Sequence, residues 1–219
     1  MKIFSFLNKY TPRIIEQTKV SSKPLFCQEY LKTLRHPRVL TKTSVSMHGQ
    51  LNSINHFFIT GTNPQNMDKY SCLINMTPRE LTKLASEEFR LLKPTEEVHT
   101  VYRCISKKPE FFSEYPLYQK RLNTKVGDII NMREYAYATS DINYAKQYLP
   151  NNEGILYVME IPQGSRGVSR IGKIGKNDEF AFDRSSMWEC TGVEEVKDAN
   201  NNYKIIKLRK KENFFDRTF

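Results

Sequence analysis

Apolar positions change their period along this chain of 219 residues, and the changes divide it. Thr77-Pro78-Arg79-Glu80 offers a capping hydroxyl, a proline at the first helical position and a Glu three residues after the cap, together a helix start signal. Leu81, Leu84, Ala85, Phe89 and Leu92 then recur at helical spacing, which predicts a helix reaching about Leu92. From Val98 the pattern turns to that of strands. Val98 to Ile105 (VHTVYRCI) is β-branched and aromatic, Tyr135 to Ser140 alternates aromatic with small residues, and Ile155 to Ile161 is an apolar run of strand length. Further strands are expected at Glu179–Phe182, Met187–Val193 and Tyr203–Leu208, the last two joined across the turn-forming run Asp198 to Asn202. Asp141 to Leu149 begins with a capping residue and puts Ile142, Ala145 and Leu149 on one side, a short helix. Many short strands with few helices indicate an α+β class.

Residues 1–76 are patterned differently: Ser, Thr and Asn are frequent, and ten Lys and Arg meet only Glu16, Glu29 and Asp68. A helical pattern is clearest at Gln28 to Leu34, and Thr60 to Pro64 reads as a loop. The expected organisation is a basic N-terminal accessory or secretion region over 1–76, a catalytic domain over 77–211 and a tail over 212–219. The whole chain carries a formal charge of +10, but +7 of it lies in residues 1–76, −1 in 77–203 and +4 in 204–219. A nearly neutral body argues against nucleic acid as its substrate, and makes the basic ends a matter of delivery or partner choice. Thirteen Phe and twelve Tyr exclude a disordered chain. Cys27, Cys72, Cys104 and Cys190 lie far apart, and the four His show no metal-ligand spacing, so neither a metal site nor a disulfide scaffold is expected. The apolar run at the start is shorter than a secretory signal requires, and no stretch approaches the ~18 apolar residues of a spanning helix.

Three segments could carry chemistry. An Arg sits in an apolar strand at Val101-Tyr102-Arg103-Cys104, Tyr137-Ala138-Thr139-Ser140 leads into a helix, and Glu179-Phe180-Ala181-Phe182 leads through Arg184 to Trp188. In this order and spacing, over Val98 to Val193, they resemble the mono-ADP-ribosyltransferase family, in the branch of bacterial toxins and ecto-enzymes whose signature is an Arg, a Ser-Thr-Ser strand and a Glu-x-Glu loop. Gly127-Asp128 before the middle motif, and Ala145 and Tyr148 after it, continue the match. The resemblance implies a split β-sheet core of two packed antiparallel sheets with flanking helices and an N-terminal extension. It also implies NAD as co-substrate, a protein as acceptor, and no metal.

Roles follow for individual residues. Cleaving the bond between nicotinamide and ribose builds positive charge on the sugar, which a nearby carboxylate stabilises, the role expected of Glu179. Ser140 is the hydroxyl expected to orient that carboxylate. Arg103 offers a planar fork of donors to the diphosphate of NAD. By resemblance the backbone of Cys104 holds the nicotinamide amide, Thr139 supports the strand or touches the cofactor, and Arg166 and Arg170 lie in the loop that flanks the cofactor phosphates. Lys176 and Asn177 belong to the loop that in relatives meets the protein substrate. Cys104 stands where the family has Gly, Ala138 where it has the first Ser, and Asn177 where arginine-modifying members have Glu, so the modified residue type stays open.

The leading expectation is transfer of ADP-ribose from NAD to a target protein with release of nicotinamide. Hydrolysis of NAD, and a non-catalytic basic binding module with a transferase-like fold, are the alternatives. The basic N-terminus suits an effector secreted without a cleavable signal and acting in a host cytosol, with a host activator or secretion chaperone as further partners. It equally suits a cytoplasmic phage or bacterial enzyme.

Overall fold

Thr77 caps the helix that follows it in the way its sequence context predicts. In the computed structural model, which describes Asn55 and residues 77–92, 94–106, 119–169 and 179–211, helix α1 spans Pro78–Arg90. The Thr77 hydroxyl accepts from the Glu80 amide, and the Glu80 carboxylate accepts from the Thr77 amide at 2.7 Å, so two otherwise orphaned donors are satisfied reciprocally. Its apolar face buries Ala85 and Phe89, and Phe89 stacks on Tyr135 with ring centroids 5.8 Å apart.

Among the described residues eight strands follow: β1 (His99–Ser106), β2 (Ile129–Asn131), β3 (Ala136–Thr139), β4 (Glu153–Ile161), β5 (Val168–Ser169), β6 (Glu179–Phe182), β7 (Met187–Lys197) and β8 (Asn202–Lys210), with the short helix α2 (Ile142–Lys146) between β3 and β4. They hydrogen-bond in the order β2-β7-β8-β4-β1-β3-β6-β5. The α+β expectation holds, but the two separate antiparallel sheets do not: the strands form one continuous sheet, and β4 runs parallel to β8. The sheet curls instead of splitting. Phe182 in β6 packs edge-on against Trp188 in β7 at 5.4 Å between centroids, although four strands separate β6 from β7 in the order. A turn of four residues joins the two, so the chain steps directly from one arm of the curl to the other.

Inside the curl lies the main core. Val101, Ile105, Ala136, Ala138, Tyr157, Met159, Phe180, Phe182, Trp188, Ile206 and Leu208 all face it and are nearly inaccessible. A second, smaller core lies on the opposite face, where Ala145 and Leu149 at α2 cover Tyr102, Cys104 and Leu156. Gly154 is required where β1 meets β4. Its φ is +145°, and a Cβ there would stand 2.3 Å from the Ile105 carbonyl oxygen. The Asp198 to Asn202 run forms the expected turn, with the Asp198 carboxylate accepting from the Asn200 amide at 2.8 Å. Strands β2 and β5 carry no period in the sequence because they are only three and two residues long.

One residue of the region expected to stand apart is built into this body. Asn55 is buried, and its side-chain amide accepts from the Tyr135 N–H at 2.7 Å and donates to the Tyr135 carbonyl at 3.1 Å. It thus satisfies the backbone of Tyr135 just before β3 begins. The remainder of residues 1–76 and the tail 212–219 lie outside the described residues.

Candidate active site

Cross-strand register decides which of the expected residues meet. Strands β1, β3 and β6 are neighbours, and Tyr102 pairs with Thr139, which pairs with Glu179. Directly paired residues share a face of a sheet and alternate residues face opposite ways. Tyr102, Thr139 and Glu179 therefore form one row on the face covered by α2. Arg103 belongs to the adjacent row with Ala138 and Phe180, on the face inside the curl.

Glu179 opens β6 and is half-buried. Its carboxylate accepts from the Tyr144 hydroxyl at 3.1 Å, and the Tyr144 and Tyr148 hydroxyls lie 3.2 Å apart. Burial first, and the Glu179 carboxylate with it, push the Tyr144 phenol above its ordinary range, so it stays protonated. Tyr137, on the same face, is likewise pushed far up, chiefly by burial. The helix bearing Tyr144 is only five residues long and is held by side chains at its start. Asp141 accepts from the Asn143 and Tyr144 amides, and the Thr139 hydroxyl accepts from the Asp141 amide at 3.2 Å.

Ser140 is half-buried and follows the end of β3, beyond the paired register. Thr139 is the hydroxyl residue directly opposite Glu179, yet its oxygen is used to fix the entry to α2, and neither hydroxyl bonds to Glu179. Cys104 is buried in the row two residues on from Tyr102, paired with Leu156 in β4. Arg103 is sealed inside the curl. Its guanidinium donates to the Glu134 carboxylate at 3.0 Å and to the Tyr137 carbonyl at 3.1 Å, with both charged side chains nearly inaccessible. Arg166 is half-buried, and its Nε donates to the Leu92 carbonyl at 2.9 Å, tying its loop to the end of α1. Arg170, Lys176 and Asn177 lie outside the described residues.

The structure thus gathers a carboxylate, two phenols and a threonine under α2, and places Arg103 on the other side of the sheet. This donor set fits the nicotinamide-ribose end of NAD, which needs a carboxylate and aromatic walls. The two described arginines expected at its diphosphate are engaged with Glu134 and with a backbone carbonyl. The residues that the sequence reading passed over are Tyr144 and Glu134. Tyr144 stands one helical turn from Tyr148, a spacing visible in the sequence; the pairing of Glu134 with Arg103, 31 residues away, has no local signal.

This fold is the one shared by bacterial ADP-ribosyltransferase toxins. C3larvin toxin, an ADP-ribosyltransferase from Paenibacillus larvae, superposes with a TM-score of 0.55 at 14% identity, covering 83% of this chain and 98% of that one. The ADP-ribosylating toxin BECa of a binary enterotoxin of C. perfringens, solved with NADH, gives 0.51 at 16% identity over 78% of this chain and 44% of that one. Exoenzyme S from Pseudomonas aeruginosa, in complex with human 14-3-3 protein beta and bound to carba-NAD, gives 0.50 at 8% identity over 75% and 70%. No protein-family model matches the sequence, and no curated protein does either.

Proposed function

We propose that this protein transfers ADP-ribose from NAD to a side chain of a target protein, releasing nicotinamide, with Glu179 as the catalytic carboxylate. The observation that carries the reading is Glu179 itself: a half-buried carboxylate opening β6, in the β1-β3-β6 strand order, held by a phenol from α2. NAD supplies the ribosyl group and the nicotinamide leaving group. Glu179 stabilises the positive charge that develops on the ribose as that bond breaks, and a carboxylate already aligned in a partly dry site does so without reorganising. Thr139 and Asp141 keep α2 in register over the row, and Cys104 and Tyr102 form its floor. Ser140 stands at the rim after β3, where an acceptor or the cofactor would contact it. Arg170, Lys176 and Asn177 are proposed for the phosphate-flanking and target-meeting loops, on the strength of their motif positions alone. Arg103 acts on the site from behind, by pinning β3 to β1 through the Tyr137 carbonyl.

Delivery as a secreted effector, acting in a host cytosol with a host-protein partner, is the setting we favour. The charge of residues 1–76 and the complex that Exoenzyme S makes with a human protein support it.

The test is direct. The full chain, incubated with labelled NAD and a cell lysate, should label an acceptor protein and release nicotinamide. Glu179→Gln should cut nicotinamide release by about 100-fold or more with an unchanged melting temperature. Activity equal to the parent in Glu179→Gln would overturn the assignment, and nicotinamide release without a labelled acceptor would make the protein an NAD glycohydrolase.

A further inference from the structure

Glu179 needs a donor that fixes its carboxylate, and Ser140, the residue expected to supply one, lies past the end of β3 and does not bond to it. The Thr139 hydroxyl accepts from the Asp141 amide and does not donate to Glu179 either. We propose that Tyr144 is the positioning residue for the Glu179 carboxylate, and that Tyr148 aligns the Tyr144 hydroxyl for this task; the inference rests on the reading of Glu179 as the catalytic group.

Proton counting sets the direction of the chain. A carboxylate only accepts, and a phenol has a single O–H. Tyr144 donates its proton to Glu179 at 3.1 Å, so the 3.2 Å contact between the phenols has Tyr148 as donor and Tyr144 as acceptor. The chain runs from Tyr148 through Tyr144 to Glu179, and each bond polarises the next. Both rings are fixed. Tyr144 is buried, and Tyr148 meets it edge-on, with ring centroids 5.7 Å apart and an interplanar angle of 82°. Asp141 accepts from the Tyr144 amide and fixes its backbone, so the phenol is anchored at both ends. Tyr148 is 44% exposed, which brings the chain from solvent to the carboxylate in two hydroxyls.

Among the described residues, the titratable groups that share this face with Glu179 include Tyr102 and Cys104 on β1, Tyr137 on β3, and Asp141, Tyr144, Lys146 and Tyr148 at α2. Tyr102, Tyr137 and Tyr144 are shifted upward by burial and stay neutral near pH 7. Among the described residues the Tyr144 hydroxyl is the side-chain donor that reaches the Glu179 carboxylate.

Three variants test this with NAD as the probe. Tyr144→Phe keeps the ring and its packing, and should lower kcat for nicotinamide release by roughly 10- to 100-fold while KM stays within about twofold, because a slightly misplaced group loses rate more than binding. Tyr148→Phe should lower kcat in the same direction by less, and the double variant should fall short of the product of the two effects. A second readout is independent of turnover. In protein carrying 13C-labelled glutamate, the carboxyl signal assigned by its loss in Glu179→Gln should change its chemical shift in Tyr144→Phe relative to the parent at the same pH, since the hydrogen bond to that carboxylate is gone. An unmoved carboxyl signal in a folded Tyr144→Phe, or a parental kcat there, would overturn the proposal. A parent that releases no nicotinamide would instead overturn the reading of Glu179 as catalytic, and the carboxyl signal would still decide whether Tyr144 positions it.

Discussion

Tyr102 and Arg103 are neighbours in β1, yet the pleat sends their side chains to opposite faces of the sheet, and the two faces treat polar groups differently. Inside the curl a charged group survives only by being paired. Arg103 meets Glu134 and the Tyr137 carbonyl among Val101, Ile105, Tyr157, Phe180 and Trp188. Taking either charge out of water without the other would cost several kcal/mol, so the pair is a unit of structure. On the outer face, among the described residues, the cover over β1, β3 and β6 is a helix of five residues, under which the Glu179 carboxylate is held by one phenol and stays half-exposed. Farther along the same face, β4, β7 and β8 carry exposed ion pairs such as Glu160 with Arg209 at 2.7 Å. A buried ion pair on this protein is therefore architecture, and the half-buried carboxylate with a neutral partner is the group we propose as reactive. That difference is the reason for assigning the chemistry to Glu179 and the support to Arg103.

The largest break in this contrast should come from Glu134. Glu134→Gln strips the carboxylate from a sealed guanidinium and should cost about 3–5 kcal/mol, read as a lower urea midpoint with an unchanged slope. The double variant Arg103→Met with Glu134→Leu should recover most of that loss, since well-packed apolar residues replace a buried pair at little cost. No recovery would mean that Arg103 does more than hold the sheet.

A smaller effect is expected at Asn55. Asn55→Ala leaves the Tyr135 N–H and carbonyl without their partners in a buried place, and should cost about 1–3 kcal/mol by the same measurement. An effect near zero would show that the two Asn55 bonds are dispensable to the body.

The smallest belongs to the outer face. Arg209→Ala removes an ion pair whose side chains are about half-exposed, and should change stability by less than about 1 kcal/mol, with the change vanishing in high salt. A change as large as that at Glu134 would erase the distinction between the faces.

Much of the architecture was legible in advance because local signals agreed with the tertiary outcome. The capping box at Thr77 and the proline after it placed α1 to within two residues of its end. Runs of alternating or continuous apolar residues located β1, β3, β4, β6, β7 and β8, since a strand packed on a core must repeat every second residue. Strands β7 and β8 extend further than expected, to Lys197 and Lys210, because the ladder continues through charged and polar residues such as Glu195 opposite Lys204 and Lys197 opposite Asn202, which break the apolar run in the sequence. The single curled sheet was not legible, because a parallel pairing such as β4 with β8 joins segments about 50 residues apart, with nothing local to mark it.

The chemical candidates divide in the same way. Glu179 could be picked from its motif, and the structure places it in the row of Tyr102 and Thr139. The grouping of Arg103 with Ser140 and Glu179 rested on motif order, and order along the chain says nothing about which face a side chain takes. A shift of one residue in register moves every side chain of a strand to the other face. The pairing of Tyr102 with Thr139, and of Thr139 with Glu179, makes Tyr144 the donor to the carboxylate and encloses Arg103 in the core.

By itself, then, the sequence determined the longer helices and strands and where the charge lies, because these follow from propensity, period and composition, and its motif order marked the candidate carboxylate. Only the tertiary structure decided which residues meet. Register and sheet curvature depend on contacts between residues 30 or more positions apart, and those contacts alone set the face on which Glu179, Tyr144 and Arg103 each stand.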